Sequence, residues 1–272
     1  MSMASVNETE LDYVTVGDGL PCLVMHGGLG FDHTYLHPWL DPLGDTLKLV
    51  YYDHRGNGRS GRPDKETMTH AQFAADVDAL SSHLGFDKVA VIGHSYGGFI
   101  ALEFALRYPE RLSHLILLDT APAMNYSEEI MENALCKGAT EEMMAILQAD
   151  DFASDDEMRQ KFLIIWPLYF KTFNADIAHR LLENSIINAS GGACEGELSA
   201  YNVVSRLGEI HRPTLILVGR DDFICPPSQA HILRNGITNS ELVIFENSGH
   251  LPYVEEAEAF FDTVRDWIKR TT

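Results

Sequence analysis

The sequence predicts an α/β protein built on a largely parallel β-sheet. Short apolar runs alternate with helical patterns along most of the 272 residues, which is typical of strands joined by crossover helices. The runs at residues 88–92 and 112–118 are apolar at almost every position, as expected for central strands covered on both faces. The alternation stops after Pro122 and resumes at Thr214, so we expect an insert within one core domain.

Each predicted element has a local signal. The first apolar run, residues 11–16, ends at Gly17-Asp18-Gly19. Later runs predict strands at residues 22–25, 47–52, 88–92, 112–118, 214–218 and 241–245. A helix begins after Thr69, which can cap it with Gln72 as its capping-box partner, and ends at Gly85. Further helical patterns cover residues 96–108, a stretch after Pro227, and residues 255–269.

The insert has a helical character. Residues 125–206 contain acidic helical patterns such as SEEIMENALCKG, and no strand-like run of comparable strength. We therefore predict a core of residues 1–124 and 207–272, with residues 125–206 as a helical cap. The aromatic run Trp166-Pro167-Leu168-Tyr169-Phe170 has two interpretations, the core of the cap or a wall of a binding pocket.

Composition excludes several classes of partner. The net charge of −20 and the pI of about 4.8 repel phosphate backbones, so we expect no nucleic-acid partner. The N-terminus lacks the basic and apolar regions of a signal peptide, and no run of about 18 apolar residues suggests a membrane span. We expect a cytoplasmic protein that acts on a small molecule and does not associate with a membrane. The sequence leaves open whether the protein forms a homo-oligomer.

The motifs predict neither a cofactor nor a metal. The four cysteines form no CxxC pair and no histidines have the HExxH spacing. Cys136 and Cys194 could form a disulfide, although separate thiols fit a reducing cytosol better. Residues 56–61 match G-x-G-x-x-G after a strand, but Arg62-Pro63 follows where a dinucleotide site needs a helix.

The strongest chemical motif is Gly93-His94-Ser95-Tyr96-Gly97. It follows a predicted strand and precedes a predicted helix, which is the context of a G-x-S-x-G turn that raises a serine Oγ above the sheet edge. The two glycines leave room for that sharp turn. We therefore predict Ser95 as a nucleophile.

A glycine-rich loop after the second predicted strand is the candidate oxyanion site. In His26-Gly27-Gly28-Leu29-Gly30, small residues let backbone N–H groups come within hydrogen-bond range of a substrate oxygen. We assign the two donors to Gly28 and to Tyr96, which directly follows the nucleophile.

Two further loops supply an acid and a base. Asp221 and Asp222 follow the strand at residues 214–218, where a carboxylate can orient a histidine. His250 lies in a Gly-His loop after the last strand, which singles it out among twelve histidines. The order serine, aspartate, histidine along the chain fits a sheet-edge triad.

These motifs resemble the α/β-hydrolase superfamily along nearly the whole chain. The resembling segments are HGGLG at 26–30, DHRGNGRS at 53–60, GHSYGG at 93–98, GRDDFICP at 219–226 and SGH at 248–250. The resemblance implies an eight-stranded, mostly parallel sheet with the insert as a lid. Its G-x-x-D-x-x-x-P pattern selects Asp222 rather than Asp221 as the acid, and it implies structural roles for His26 and His94.

Within that superfamily the chain is similar to serine carboxylesterases and lactonases of the HGG type. The resemblance implies hydrolysis of a carboxylic ester or lactone through an acyl-enzyme, with acyl-homoserine lactones among the substrates to consider. A proline iminopeptidase is the first alternative, but those enzymes usually carry HGGPG and a tryptophan after the serine, where this chain has Leu29 and Tyr96. The second alternative is a ligand receptor that kept the fold without turnover.

Overall fold

The computed structural model describes residues 2–28, 30–149, 152–191 and 196–272. The strands among them are β1 (Ser2–Val6), β2 (Thr9–Val16), β3 (Leu20–Met25), β4 (Leu47–Tyr52), β5 (Val89–His94), β6 (Leu112–Leu118), β7 (Thr214–Gly219) and β8 (Ser240–Phe245). They form one sheet in the order β1-β2-β4-β3-β5-β6-β7-β8. The pairs β1–β2 and β2–β4 are antiparallel, and the other five are parallel. The predicted mostly parallel, eight-stranded sheet is confirmed.

Helices flank the sheet and fill the insert. They are α1 (His70–His83), α2 (Tyr96–Arg107), α3 (Ser127–Cys136), α4 (Glu141–Leu147), α5 (Asp155–Ile165), α6 (Ala175–Leu182), α7 (Glu197–Ala200), α8 (Pro227–Gly236), α9 (Pro252–Glu255) and α10 (Ala257–Thr271). In α1 the Thr69 hydroxyl caps the N-terminus by accepting the Gln72 N–H. Among the described residues, every helix is too short or too polar to span a lipid bilayer.

Two hydrophobic cores lie on opposite faces of the sheet, because successive side chains of a strand point to opposite sides. In β3, Leu23 and Met25 pack into the core that also contains buried residues of α1, α2 and α8. Cys22 and Val24 pack into the other core, which contains buried residues of α10. Burial on both faces explains why the central strands read as continuous apolar runs.

The residues between β6 and β7 fold as helices α3 to α7, without a strand in the described part of this segment. The two ends of the insert lie side by side. Met124 N–H donates to Tyr201 O at 3.0 Å, and Val203 N–H donates to Pro122 O at 2.9 Å. The chain therefore leaves the sheet and returns to it at adjacent points.

Two sequence predictions need correction. The apolar pattern places the start of the first strand at residue 11, whereas the structure adds β1, an edge strand whose one fully buried side chain is Ala4 and which no apolar run marks. The sequence also predicts one final helix from residue 255, where α9 ends and a second helix, α10, begins at Ala257. Cys194 lies outside the described residues, so the question of a bond with Cys136 falls outside them too.

A buried ion pair ties the loop after β4 to α1. Arg55 Nη2 donates to Asp76 Oδ1 at 2.7 Å and Arg55 Nε donates to Asp76 Oδ2. Each side chain is only 2% exposed. Removing one partner of such a pair leaves an uncompensated charge in a low-dielectric interior.

We expect Arg55→Gln to lower the free energy of unfolding by about 3 kcal/mol or more. Urea denaturation measures this change. Arg206→Gln is the matched control because it breaks an exposed pair with Glu209, and it should cost less than about 0.5 kcal/mol. Equal unfolding midpoints for the two variants would contradict the structural role of Arg55.

Candidate active site

Ser95 occupies the sharp turn between β5 and α2. Its backbone angles, φ 56° and ψ −123°, are strained for a residue with a side chain. The turn is possible because its neighbours are glycines. A Cβ at Gly97 would lie 2.1 Å from Met25 O, and one at Gly93 would lie 2.5 Å from Gly97 O. Ser95 is thereby held at the carboxyl edge of the sheet, where it lines a cavity.

The loop after β3 approaches the same serine from the other side. A Cβ at Gly27 would lie 2.6 Å from Ser95 Cβ, so only glycine permits this approach. Gly28 has a φ of +51°, and its N–H donates to no acceptor among the described residues. Tyr96 N–H lies in the first turn of α2, where the helix itself offers no acceptor. Both predicted oxyanion donors thus line the cavity with Ser95, and within the described part of the chain their N–H groups have no acceptor.

His250 and Asp222 are brought into direct contact. His250 Nδ1 and Asp222 Oδ2 are 2.7 Å apart, and both side chains are almost fully buried. Asp222 Oδ1 accepts the N–H groups of Ile224 and Cys225 at 3.0 Å each. Burial disfavours the charged carboxylate, but His250 and the two N–H donors outweigh burial and lower the pKa of Asp222. An ionised carboxylate only accepts hydrogen bonds, so Nδ1 of His250 is the donor in this contact and Nε2 is the nitrogen that faces away from Asp222.

The adjacent carboxylate points elsewhere. Asp221 forms an ion pair with Lys171 at 3.0 Å, and its backbone N–H donates to Ser248 O at 2.9 Å. Of the two aspartates, Asp222 is the one in contact with His250. Ser95 and His250 line the same cavity, and no hydrogen bond joins their side chains within the described residues. Such contacts commonly tighten only when substrate is bound.

Sequence analysis missed a second carboxyl group beside Asp222. Asp119 directly follows β6, is fully buried and has a φ of +46°. Its Oδ1 accepts the Gly219 N–H at 2.8 Å. Burial and the charge of Asp222 raise the pKa of Asp119 well above its ordinary value, which favours the protonated form. The sequence signal for Asp119 was its place directly after an apolar strand, in LILLDT. Its closeness to Asp222 is a tertiary contact, which the sequence does not reveal.

A hydrogen-bonded chain connects the three loops of the site. Gly27 N–H donates to Tyr35 Oη, Tyr35 Oη lies 2.8 Å from His94 Nδ1, and His94 Nε2 lies 3.0 Å from His250 O. A carbonyl oxygen only accepts, so His94 Nε2 carries the proton and Tyr35 donates to Nδ1. Burial lowers the pKa of His94 to about 3. His94 thus stays neutral and links the candidate oxyanion loop to the backbone of His250.

His26 and His54 hold the backbone of the same loop. His26 Nδ1 lies 2.9 Å from Gly27 O, and its Nε2 accepts the His54 N–H at 3.1 Å. His54 Nε2 lies 2.9 Å from His26 O. These contacts involve both ring nitrogens of His26 and Nε2 of His54, and all of them are to backbone groups.

The cavity in front of Ser95 has a volume of about 320 Å³, and its described lining contains no lysine, arginine, aspartate or glutamate. The lining is rich in aromatic side chains, which include Phe31, Phe99, Tyr126, Phe162, Trp166 and Tyr169. Within the aromatic run of the insert, Trp166 and Tyr169 line the cavity, whereas Leu168 and Phe170 are buried without lining it. The cavity suits an uncharged, apolar substrate group.

Within the described residues, two groups of side chains bring potential metal ligands within 4.8 Å of one another. One consists of Asp222, Cys225 and His250, and the other of Asp12, His33 and Asp53. In each group the histidine already contacts an aspartate, at 2.7 Å and 2.6 Å respectively. We assign no metal to either group.

The chain was compared with known proteins. The sequence model of a family described as alpha/beta hydrolase fold matches residues 21–257. The proline iminopeptidase PfmaB of Pestalotiopsis fici is 31% identical over 282 aligned residues, which cover 99% of this chain and 100% of that protein.

Two solved structures are also similar. A thermophilic esterase from Thermogutta terrifontis is 26% identical with a TM-score of 0.76, and the match covers 97% of this chain and 94% of that one. An enol-lactonase from Burkholderia xenovorans is 25% identical with a TM-score of 0.72, and the match covers 98% and 100% of the two chains. The similarity therefore extends over the core and the insert alike.

The buried histidines predict loss of stability in mild acid. Burial lowers the pKa of His26, His54 and His94 below the ordinary value near 6.5. Between pH 6.5 and about 3, the value for His94, the unfolded chain therefore binds more protons than the folded one. His94 should cost up to about 1.4 kcal/mol per pH unit as the pH falls through that window, and His26 and His54 add costs of the same sign below pH 6.5. Their contribution to stability is complete above pH 6.5.

The melting temperature, measured by calorimetry at a series of pH values, should fall steadily below pH 6.5. His94→Gln should flatten this dependence, because glutamine keeps a donor and an acceptor without taking up a proton. His179→Gln replaces an exposed histidine and should leave the dependence as in the wild type. A melting temperature that is constant down to about pH 4.5 would refute the assignment of neutral buried histidines.

Proposed function

Because the chain belongs to the alpha/beta hydrolase fold family and is a hydrolase, we propose that it cleaves carboxylic esters or lactones through an acyl-enzyme on Ser95. The observation that carries this proposal is the 2.7 Å contact between His250 and Asp222 at the cavity that Ser95 lines. The esterase and enol-lactonase structures that resemble this chain support the same class of substrate.

In the proposed acylation step, Ser95 Oγ attacks the substrate carbonyl carbon and gives its proton to His250 Nε2. Asp222 holds the imidazole by Nδ1 and stabilises the imidazolium that forms. The oxyanion accepts hydrogen bonds from the backbone N–H groups of Gly28 and Tyr96, which donate to no acceptor among the described residues. His250 then protonates the leaving alkoxide, and the alcohol departs.

Deacylation repeats these roles with water as the nucleophile. His250 Nε2 takes a proton from the water molecule, whose oxygen attacks the acyl carbon. The proton then returns to Ser95 Oγ as the acid product leaves. A lactone follows the same path, with the alcohol and the acid as two ends of one product.

An aminopeptidase acting on N-terminal proline is the second candidate, and the proline iminopeptidase relative favours it. Such a substrate carries an ammonium group, whose burial needs a partner of opposite charge. The described lining of the cavity offers no carboxylate, and the acidic side chains of α3 and α4 that could have served do not line it. Those side chains are Glu128, Glu129, Glu132, Glu141 and Glu142. The neutral cavity therefore favours the ester or lactone.

We further propose that residues 125–206 act as a cap that selects the substrate. Phe162, Trp166, Tyr169 and Leu182 come from this segment and form part of the cavity wall. None of the sequence motifs around Ser95, Asp222 or His250 lies in it. The cap therefore contributes shape and apolar surface to the proposed reaction.

A substrate panel tests the proposed reaction. The purified protein should hydrolyse p-nitrophenyl butyrate and simple lactones much faster than proline p-nitroanilide. Ser95→Ala should lower turnover by a factor on the order of 10⁴ or more with the fold intact, because the triad acts as a unit. Preference for the anilide would support the aminopeptidase instead. An inactive wild type that an active-site fluorophosphonate fails to label would support the receptor.

The two adjacent aspartates provide a matched pair for the proposed acid. Asp222→Asn should lower kcat by about 10⁴-fold, because the amide favours the wrong tautomer of His250. Asp221→Asn should keep kcat within a few-fold of wild type, because that carboxylate faces Lys171. Steady-state kinetics on one ester measures both. If Asp221→Asn were the crippled variant, the acid would be wrongly assigned.

A further inference from the structure

One carboxylate joins the insert to the loop that bears His250. Glu255 ends α9, and its Oε1 accepts the backbone N–H groups of Lys171 at 2.9 Å and Thr172 at 3.0 Å. Its Oε2 accepts the N–H of Gly249, the residue before His250, at 2.7 Å. Burial raises the pKa of Glu255, whereas these three N–H donors lower it, and the ionised carboxylate makes stronger hydrogen bonds than a neutral acceptor. Glu255 therefore fixes the spacing between the end of the insert's aromatic run and the histidine loop.

A lysine of the insert makes the complementary link to the loop of the acid. Lys137, at the end of α3, donates from Nζ to Phe170 O at 2.8 Å and to Asp221 O at 3.0 Å. Phe170 directly precedes the two residues that Glu255 holds. The same short segment thus donates backbone N–H groups to Glu255 and accepts a hydrogen bond from Lys137 at a backbone carbonyl.

The segment also contacts His250 itself. His250 N–H donates to Tyr169 O at 2.7 Å, and the Tyr169 ring lies edge-on to the imidazole with 5.4 Å between centroids. A Cβ at Gly249 would lie 2.4 Å from Tyr169 O. The backbone of residues 169–172 therefore packs directly against the histidine loop without room for a side chain between them.

We infer that residues 169–172 of the insert hold His250 and Asp222 in register, with Glu255 and Lys137 as the positioning residues of this contact. The inference rests on the proposed roles of His250 and Asp222. The imidazole must accept a proton from Ser95 at one nitrogen while it donates to Asp222 from the other. A displacement of about 1 Å in such an arrangement can cost on the order of 10²-fold in rate.

Positioning and mere attachment of the cap predict different kinetics. If Glu255 only anchored the cap, its loss would alter stability and KM for substrates that reach the cap wall. If it positions His250, its loss lowers kcat for every ester, including one too small to reach that wall. It also slows labelling of Ser95 by a small fluorophosphonate, which depends on the same base.

The test uses Glu255→Gln, whose amide presents an NH₂ group where a second acceptor oxygen is needed. We expect about tenfold lower kcat on p-nitrophenyl acetate, an equal loss in the labelling rate, and KM within twofold of wild type. Glu258→Gln is the matched control, since it removes the same charge from an exposed position of α10 and should behave as wild type. A wild-type kcat in Glu255→Gln, or a loss confined to KM, would overturn the inference.

Lys137→Met provides an independent variant. The melting temperature shows whether Glu255→Gln folds, and if it does not, the kcat, labelling rate and KM of Lys137→Met test the inference by the same criteria. Because both residues act on one segment, the loss in the double variant should be smaller than the product of the two single losses. Fully multiplicative losses would overturn the inference that both residues act through the same segment. A wild type that is not labelled at Ser95 refutes the proposed function, whereas a labelled wild type with an unaffected Glu255→Gln refutes only the positioning role.

Discussion

The site depends on how closely the turn at Ser95 and the loop after β3 approach each other at the carboxyl edge of the sheet. Ser95 sits in a strained turn, and Gly27 and Gly97 let the loop after β3 come within van der Waals range of it. A single added methyl group at either glycine would collide with this packing. The strain at Ser95 is sustained because β5, α2 and the neighbouring loop over-determine its conformation.

Within that frame, the buried polar groups of the site are arranged so that few of them are charged. Asp222 is ionised because His250 and two backbone N–H groups compensate it, whereas burial favours the neutral forms of Asp119 and His94. Opposite charges attract strongly where water is excluded. An imidazolium forming at His250 would therefore be stabilised mainly by one carboxylate, beside a cavity whose described walls carry no other charge.

The insert contacts both the cavity and the loop that bears His250, which its helical sequence pattern does not indicate. Its aromatic side chains form part of the cavity wall, and its residues 169–172 bond to the histidine loop through Glu255 and the backbone of Tyr169. The same short segment, residues 169–172, thus contacts the histidine loop and contributes Tyr169 to the cavity wall. A change that altered the wall would also act on the loop that bears His250.

Much of the fold and the candidate site could be predicted from the sequence alone, because the signals are local. The apolar runs mark buried strands, and Gly93-His94-Ser95-Tyr96-Gly97 encodes its own turn through steric room for the backbone. The resemblance of GRDDFICP to the family's G-x-x-D-x-x-x-P pattern selected Asp222, the carboxylate that contacts His250. Other features depended on the tertiary structure. Strand β1 has almost no buried face, and its pairing with β2 alone defines it.

Asp119, Glu255 and Lys137 likewise acquired their significance only in three dimensions. Each lies far along the chain from a group it contacts, and a lone acid or lysine on a helix or after a strand is ordinarily a solvated residue. The sequence by itself determined which backbone segments could turn, pack and react, because those properties belong to neighbouring residues. The tertiary structure decided which carboxylates are buried, paired or neutral, because burial and charge compensation depend on what the fold brings together.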